Sequence, residues 1–110
     1  MRIVRIFSAA LALFAVSSGA FAQVGSPIIT FQQTVTSSAT QFPSNPLYQG
    51  LTCFARGTNT GYVYVGNSTV TTSTGVPLSP GQGWSAGVPN SNWIYVVDAS
   101  GTNYIDCWGN

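Results

Sequence analysis

The sequence predicts a small all-β domain, an antiparallel β-sandwich or barrel-like fold of about six or seven short strands, preceded by a signal-peptide helix. Three observations predict it. After Gly50, runs of β-branched and aromatic residues alternate with turn clusters of Gly, Pro, Asn and Ser. No window shows the periodicity of an amphipathic helix. The 110-residue chain also holds 12 Gly and 13% aromatic residues within an ordinary 45% hydrophobic share, a composition that folds as one small domain.

Residues 1–22 read as an export signal. Arg2 and Arg5 precede an apolar run from Ile6 to Val16, and Ser17-Ser18-Gly19 leads into Ala20-Phe21-Ala22, a small-x-small site with cleavage expected after Ala22. The run is too short to span a bilayer, and Gln23 stands where a lipoprotein anchor needs Cys. Residues 23–48 read as an extended arm with one candidate strand, Ile28 to Val35, followed by the proline-rich Phe42-Pro43-Ser44-Asn45-Pro46. Residues 49–110 read as the β-sandwich proper. Its candidate strands are Leu51 to Arg56, Tyr62 to Val65, Thr69 to Thr72, Gly83 to Val88, Ile94 to Ala99 and Tyr104 to Trp108.

Composition excludes much chemistry. The chain has three Arg, two Asp and no His, and only 5% of its residues are charged, far below the roughly 25% usual for soluble domains. One subunit therefore cannot assemble a zinc or di-iron centre, a His-based triad or a His general base; no catalytic residue, metal ligand or cofactor is assigned. Once the signal is removed, Arg56, Asp98 and Asp106 are the charged residues left. One base against two acids makes no basic stripe, which argues against nucleic-acid partners and anionic membranes. Nothing after residue 22 has the length and apolarity of a transmembrane helix.

Cys53 and Cys107 are the two thiols. In an exported small domain a structural disulfide is the expectation, over free buried thiols or intermolecular pairing; a redox pair would normally be a Cys-x-x-Cys motif. Side chains of a strand alternate faces. Leu51, Cys53, Ala55, Val63, Val65, Ile94, Val96, Ile105 and Cys107 fall on one aliphatic face. The opposite parity carries Phe54, Arg56, Tyr62, Tyr64, Tyr95, Tyr104, Asp106 and Trp108, with Trp93 at the boundary. Two readings of this aromatic set stand: a second packing layer, or an exposed contact surface made of Arg56, Tyr62, Tyr64, Trp93, Tyr95, Tyr104 and Trp108. An Arg56–Asp106 pair would fit between the rings. Asp98 and Asp106 in the spacing of a glycosidase pair are the weaker alternative to two surface carboxylates, and Asn67-Ser68-Thr69 reads as a turn before it reads as a glycosylation site.

The segment Arg56 to Gly81, RGTNTGYVYVGNSTVTTSTGVPLSPG, resembles a small β-domain of bacteriophage virion-associated proteins. The likeness rests on Asn59-Thr60-Gly61, Tyr62-Val63-Tyr64-Val65-Gly66, Val70, Thr71, Gly75, Leu78, Pro80 and Gly81. Ile94-Tyr95-Val96 and Tyr104 to Trp108 match its later strands, so the likeness covers about residues 50–108. It implies a fold and a virion or surface-assembly role, with no active residues. In the motif Gly61, Gly66, Gly75 and Gly81 would allow positive φ or close backbone approach, and Pro77 and Pro80 would fix turns. With the signal and the Cys pair, the resemblance suits a coat or attachment protein that crosses the inner membrane, or a domain co-opted for secretion. The expected product is secreted, periplasmic or extracellular, virion association included, and acts through protein contacts or self-assembly. The alternatives are a secreted carbohydrate-binding module, whose Trp and Tyr would stack on a glycan, and a small secreted inhibitor or toxin.

Overall fold

A computed structural model describes residues 27–110. The export signal read in residues 1–22, its helix and its cleavage site lie outside the described residues.

The fold is all-β, with eight strands among the described residues against the six or seven expected. β1 is Ile29–Val35, β2 Thr40–Gln41, β3 Leu51–Ala55, β4 Val63–Gly66, β5 Val76–Leu78, β6 Gly83–Ala86, β7 Tyr95–Asp98 and β8 Asn103–Gly109, and a 3-10 turn covers Ser91–Trp93. They form two four-stranded antiparallel sheets, ordered β1-β8-β3-β6 and β2-β7-β4-β5. We call them the cysteine sheet and the valine sheet. The first and last strands lie side by side, and successive strands swap sheets except from β4 to β5, which pair in one sheet. This is the strand order of a double-sheet jelly roll.

Strand parity explains why two sheets form. In β3, Leu51, Cys53 and Ala55 are buried while Thr52 and Phe54 are less so, and in β8 Asn103, Ile105, Cys107 and Gly109 are buried between more exposed neighbours. The valine sheet turns Val63, Val65, Val96 and Leu78 inward to meet them. Each such fully buried aliphatic side chain contributes about 1.5–3 kcal/mol relative to exposure. Cys53 and Cys107 face each other directly across β3 and β8, with Cα atoms 4.1 Å apart, and are disulfide-bonded. The bridge spans a sequence separation of 54 residues, for which chain entropy gives about 4 kcal/mol of stabilisation. Both cysteines are buried in the core, and a bridge of this kind fits an oxidising, periplasmic or extracellular compartment.

The described part of the 23–48 segment belongs to the sandwich. β1 runs in unbroken register with β8 from Ile29↔Gly109 to Val35↔Asn103, and β2 then pairs with β7 in the other sheet. Val35, Phe42 and Leu47 enter the core, and the Phe42 ring meets Phe31 edge-on at 5.2 Å. The proline-rich stretch is stitched to the 3-10 turn: Phe42 N donates to Ile94 O, Leu47 N to Pro89 O and Ser91 N to Asn45 O.

Thr69–Thr72 corrects the sequence reading, because it is loop, and the strand expected there forms later, at Val76–Leu78. Threonine favours strands, but here its hydroxyls serve the backbone locally. Asn67 Oδ1 accepts from Thr69 N and Thr69 Oγ1, Thr71 Oγ1 accepts from Ser73 N and Thr74 N, and Gly75 N donates to Thr71 O. Pro77 is likewise no turn residue; it sits in β5 opposite Tyr64, on a sheet edge where its missing N–H costs no ladder bond. Pro80 and Gly81 do form a turn, closed by Gln82 N donating to Ser79 O, with Gly81 at φ +86° as the third residue of a type II turn requires.

Candidate functional site

The aromatic residues do not share one surface. A sandwich has two outer faces, and the parity rule assigns side chains to the outside of a sheet without saying which sheet. Arg56, Tyr104 and Trp108 belong to the outer face of the cysteine sheet; Tyr62, Tyr64 and Tyr95 belong to the valine sheet; Trp93 stands apart on the 3-10 turn, 63% exposed. The expectation of a single contact face is corrected accordingly.

On the cysteine sheet, register builds three rows. Thr30, Trp108, Thr52 and Ser85 lie across the four strands, then Gln32, Asp106, Phe54 and Gly83, and beyond them Thr34 and Tyr104 with Arg56 alongside. Arg56 is pinned twice: its Nε and Nη2 donate to the two Asp106 carboxylate oxygens at 3.1 and 2.7 Å, and its guanidinium lies 4.5 Å from the centre of the Tyr104 ring. The Asp106 hydrogen bond pushes the Arg56 pKa further above its already high value, so the side chain keeps its charge at any physiological pH. Phe54 and Trp108 remain 47% and 46% exposed on the same face. Phe54 was absent from the expected contact set, although its parity beside Arg56 marked it. Its ring occupies the place where a side chain on Gly83 would point, with Cε1 2.7 Å from a Cβ built there. Next to Trp108 opens a cleft of about 530 Å³ lined by Gln49, Thr52, Ser85, Gly87 and Asn110 among others.

On the valine sheet the outer face is largely covered. The loop from Asn67 to Thr74 folds back and inserts Val70, which is buried, against Gly66 and Gly75; a Cβ on either glycine would lie 2.7–2.8 Å from Val70 Cγ2. Gly66 and Gly75 therefore serve by close approach. Gly61 serves by neither expected route, since its φ is not positive and only Asn103 Nδ2, at 4.0 Å, comes near a Cβ built on it. Tyr64 and Tyr95 are half-buried here, and Tyr62, at the rim, meets the Tyr64 ring edge-on at 6.4 Å.

The two aspartates do not form a pair. Asp106 is on the surface of the cysteine sheet, whereas Asp98, expected at the surface, is 2% exposed and points between the sheets. Its Oδ2 accepts from Asn103 Nδ2 at 2.8 Å, and Asn103 Oδ1 accepts from the amides of Thr60 and Gly61. Asn103 is itself fully buried. The sequence held no local sign of this bridge, because its partners come from β7, β8 and the loop before β4. Its role is to tie one end of the sandwich together. Among the described residues no cluster of His, Cys, Asp or Glu could hold a metal ion, and no helix is long and apolar enough to cross a membrane.

Comparison with known protein families, curated proteins and solved structures yields no match.

Proposed function

We propose that this chain is an exported, non-enzymatic structural or adhesion protein, a phage-type virion or surface component, that works by protein contact through the outer face of the cysteine sheet. The observation that carries this reading is the row structure of that face. Phe54, Trp108 and Tyr104 present large, stiff aromatic area to solvent, framed by Thr and Gln, with Tyr104 set against an Arg56 that Asp106 holds by two hydrogen bonds. The jelly-roll strand order lends fold-level support, since that architecture recurs in viral capsid and lectin domains. Fractionation tests it: the protein should travel with phage particles or cell envelopes, and Phe54→Ala/Trp108→Ala should release it to the soluble fraction while it stays folded. Equal recovery of both versions in the particle or envelope fraction would defeat the reading.

A second reading, a secreted carbohydrate-binding module, draws on the cleft that Trp108 lines together with the polar residues Gln49, Thr52, Ser85 and Asn110. It requires that the protein be retained on polysaccharide resin and that sugar shift its Trp fluorescence.

A further inference from the structure

We propose that β1 pairs edge to edge with β1 of a second copy, antiparallel about a two-fold axis at Gln32, so that two cysteine sheets become one continuous sheet. The pairing deepens the assembly reading above by naming one partner as this same chain. It does not require the aromatic face, so the two can fail separately.

The starting point is which backbone groups of β1 have no partner among the described residues. Tyr104 O accepts from Arg56 N at 3.0 Å, so the even-numbered residues of β8 turn their backbone groups toward β3 and the odd-numbered ones toward β1. The short Cα separation of Cys53 and Cys107 agrees, being that of an antiparallel pair without mutual backbone bonds. By the register of β1 with β8, Ile29, Phe31, Gln33 and Val35 are then committed to β8. The N–H and C=O groups of Thr30, Gln32 and Thr34 face outward. Among the described residues Thr34 O has drawn only the exposed amide of the adjacent Gln33, whose Nε2 donates to it at 3.1 Å.

Open edges invite pairing, and proteins blunt them with short strands, proline, bulges or charge. The other three edges of this sandwich are blunted: β2 has two residues, β5 has three and contains Pro77, and β6 has four and starts at Gly83. β1 has seven residues, ITFQQTV, with no proline, no charge and no break in its ladder.

The strand is also complementary to itself. Centring the two-fold axis on Gln32 sets Thr30 opposite Thr34 of the second copy and Gln32 opposite its own counterpart, so every outward-facing backbone group of one copy meets its complement in the other. The same operation sets Ile29 opposite Val35 and Phe31 opposite Gln33. These are the half-buried and buried positions of β1, so each core-facing side chain continues the core-facing side of the other copy. On the outer side, the Thr–Thr and Gln–Gln pairs are of the kind that stabilise cross-strand neighbours. Charge raises no barrier, because Arg56 and Asp106 neutralise each other and Asp98 is buried. A contact of this symmetry closes as a dimer.

Sedimentation velocity on the purified, disulfide-intact protein should show a concentration-dependent dimer. Thr30→Lys/Thr34→Lys and Thr30→Glu/Thr34→Glu each place like charges opposite one another and should each weaken the dimer by about tenfold or more; mixing the two variants should restore it. Amide exchange on the unaltered protein gives a check free of mutation. Thr30, Gln32 and Thr34 should be protected only at concentrations where the dimer forms, and Phe31 and Gln33 at all concentrations. A monomer at every concentration overturns the proposal, as does a dimer in which these three amides stay unprotected or one that the charge variants leave intact. A dimer lost on Trp108→Ala yet insensitive to the edge variants overturns it too, while leaving the aromatic-face reading standing.

Discussion

The two outer faces of the sandwich begin from the same sequence pattern and end differently. Each alternates buried aliphatic residues with aromatic ones, Phe54, Tyr104 and Trp108 on the cysteine sheet and Tyr62, Tyr64 and Tyr95 on the valine sheet. On the valine sheet a threonine-rich loop returns over the face and plugs it with Val70; on the cysteine sheet no such loop returns among the described residues, and the rings are exposed. Parity decides which side chains leave the core. What a loop does afterwards decides whether they reach solvent.

The difference can be broken at several points. The largest effect is expected where the open face is anchored: Cys53→Ala/Cys107→Ala should lower unfolding stability by about 4 kcal/mol, read from denaturant midpoints. Next comes the covered face. Gly75→Val forces a side chain against Tyr64 Cβ, Val70 Cγ2 and Thr71 O, all within 3.1 Å of the Cβ position, and should cost about 2–3 kcal/mol by overpacking. It should also raise the exposure of Tyr64, visible in its fluorescence or in oxidative labelling. Asn103→Ala, which strips the Thr60 and Gly61 amides and Asp98 Oδ2 of their partner, should cost a comparable 1–3 kcal/mol although it touches neither face. The smallest effect on stability is expected at the open face itself. Arg56→Ala removes a pair whose side chains are 30% and 37% exposed, so solvent screening leaves it a smaller contribution to stability than any of the three changes above. If Arg56→Ala destabilised as much as Gly75→Val, the open face would be part of the packing and the contrast between the faces would vanish.

Much of the fold was legible in the sequence for a specific reason. β3, β4 and β8 alternate cleanly and are bounded by Gly, Ser and Asn, so both their class and their buried positions can be read residue by residue, Cys53 and Cys107 included; β7 is legible as a strand, but Val97 and Asp98 are buried along with Val96. β2 and β5 escaped because two residues show no periodicity and because Pro77 looks like a turn until its place on an edge is known. Thr69–Thr72 misled because β-propensity was outweighed by hydroxyl bonds to the chain a few residues away. In the candidate site, the Arg56–Asp106 pair was readable from shared parity. The division of the aromatics between two sheets was not, since strand order is a long-range property. The burial of Asp98 depended on Asn103 and on a loop some forty residues earlier, and no window of sequence contains all three.

The central claim, that the outer face of the cysteine sheet is where this protein meets its partners, is tested most directly by oxidative labelling of the free protein and of the protein in its assembled, particle- or envelope-bound form. The account predicts that Phe54, Tyr104 and Trp108 lose reactivity on assembly while Tyr62 and Trp93 keep theirs. Protection of Tyr62 and Trp93 with Phe54 and Trp108 unchanged would contradict it.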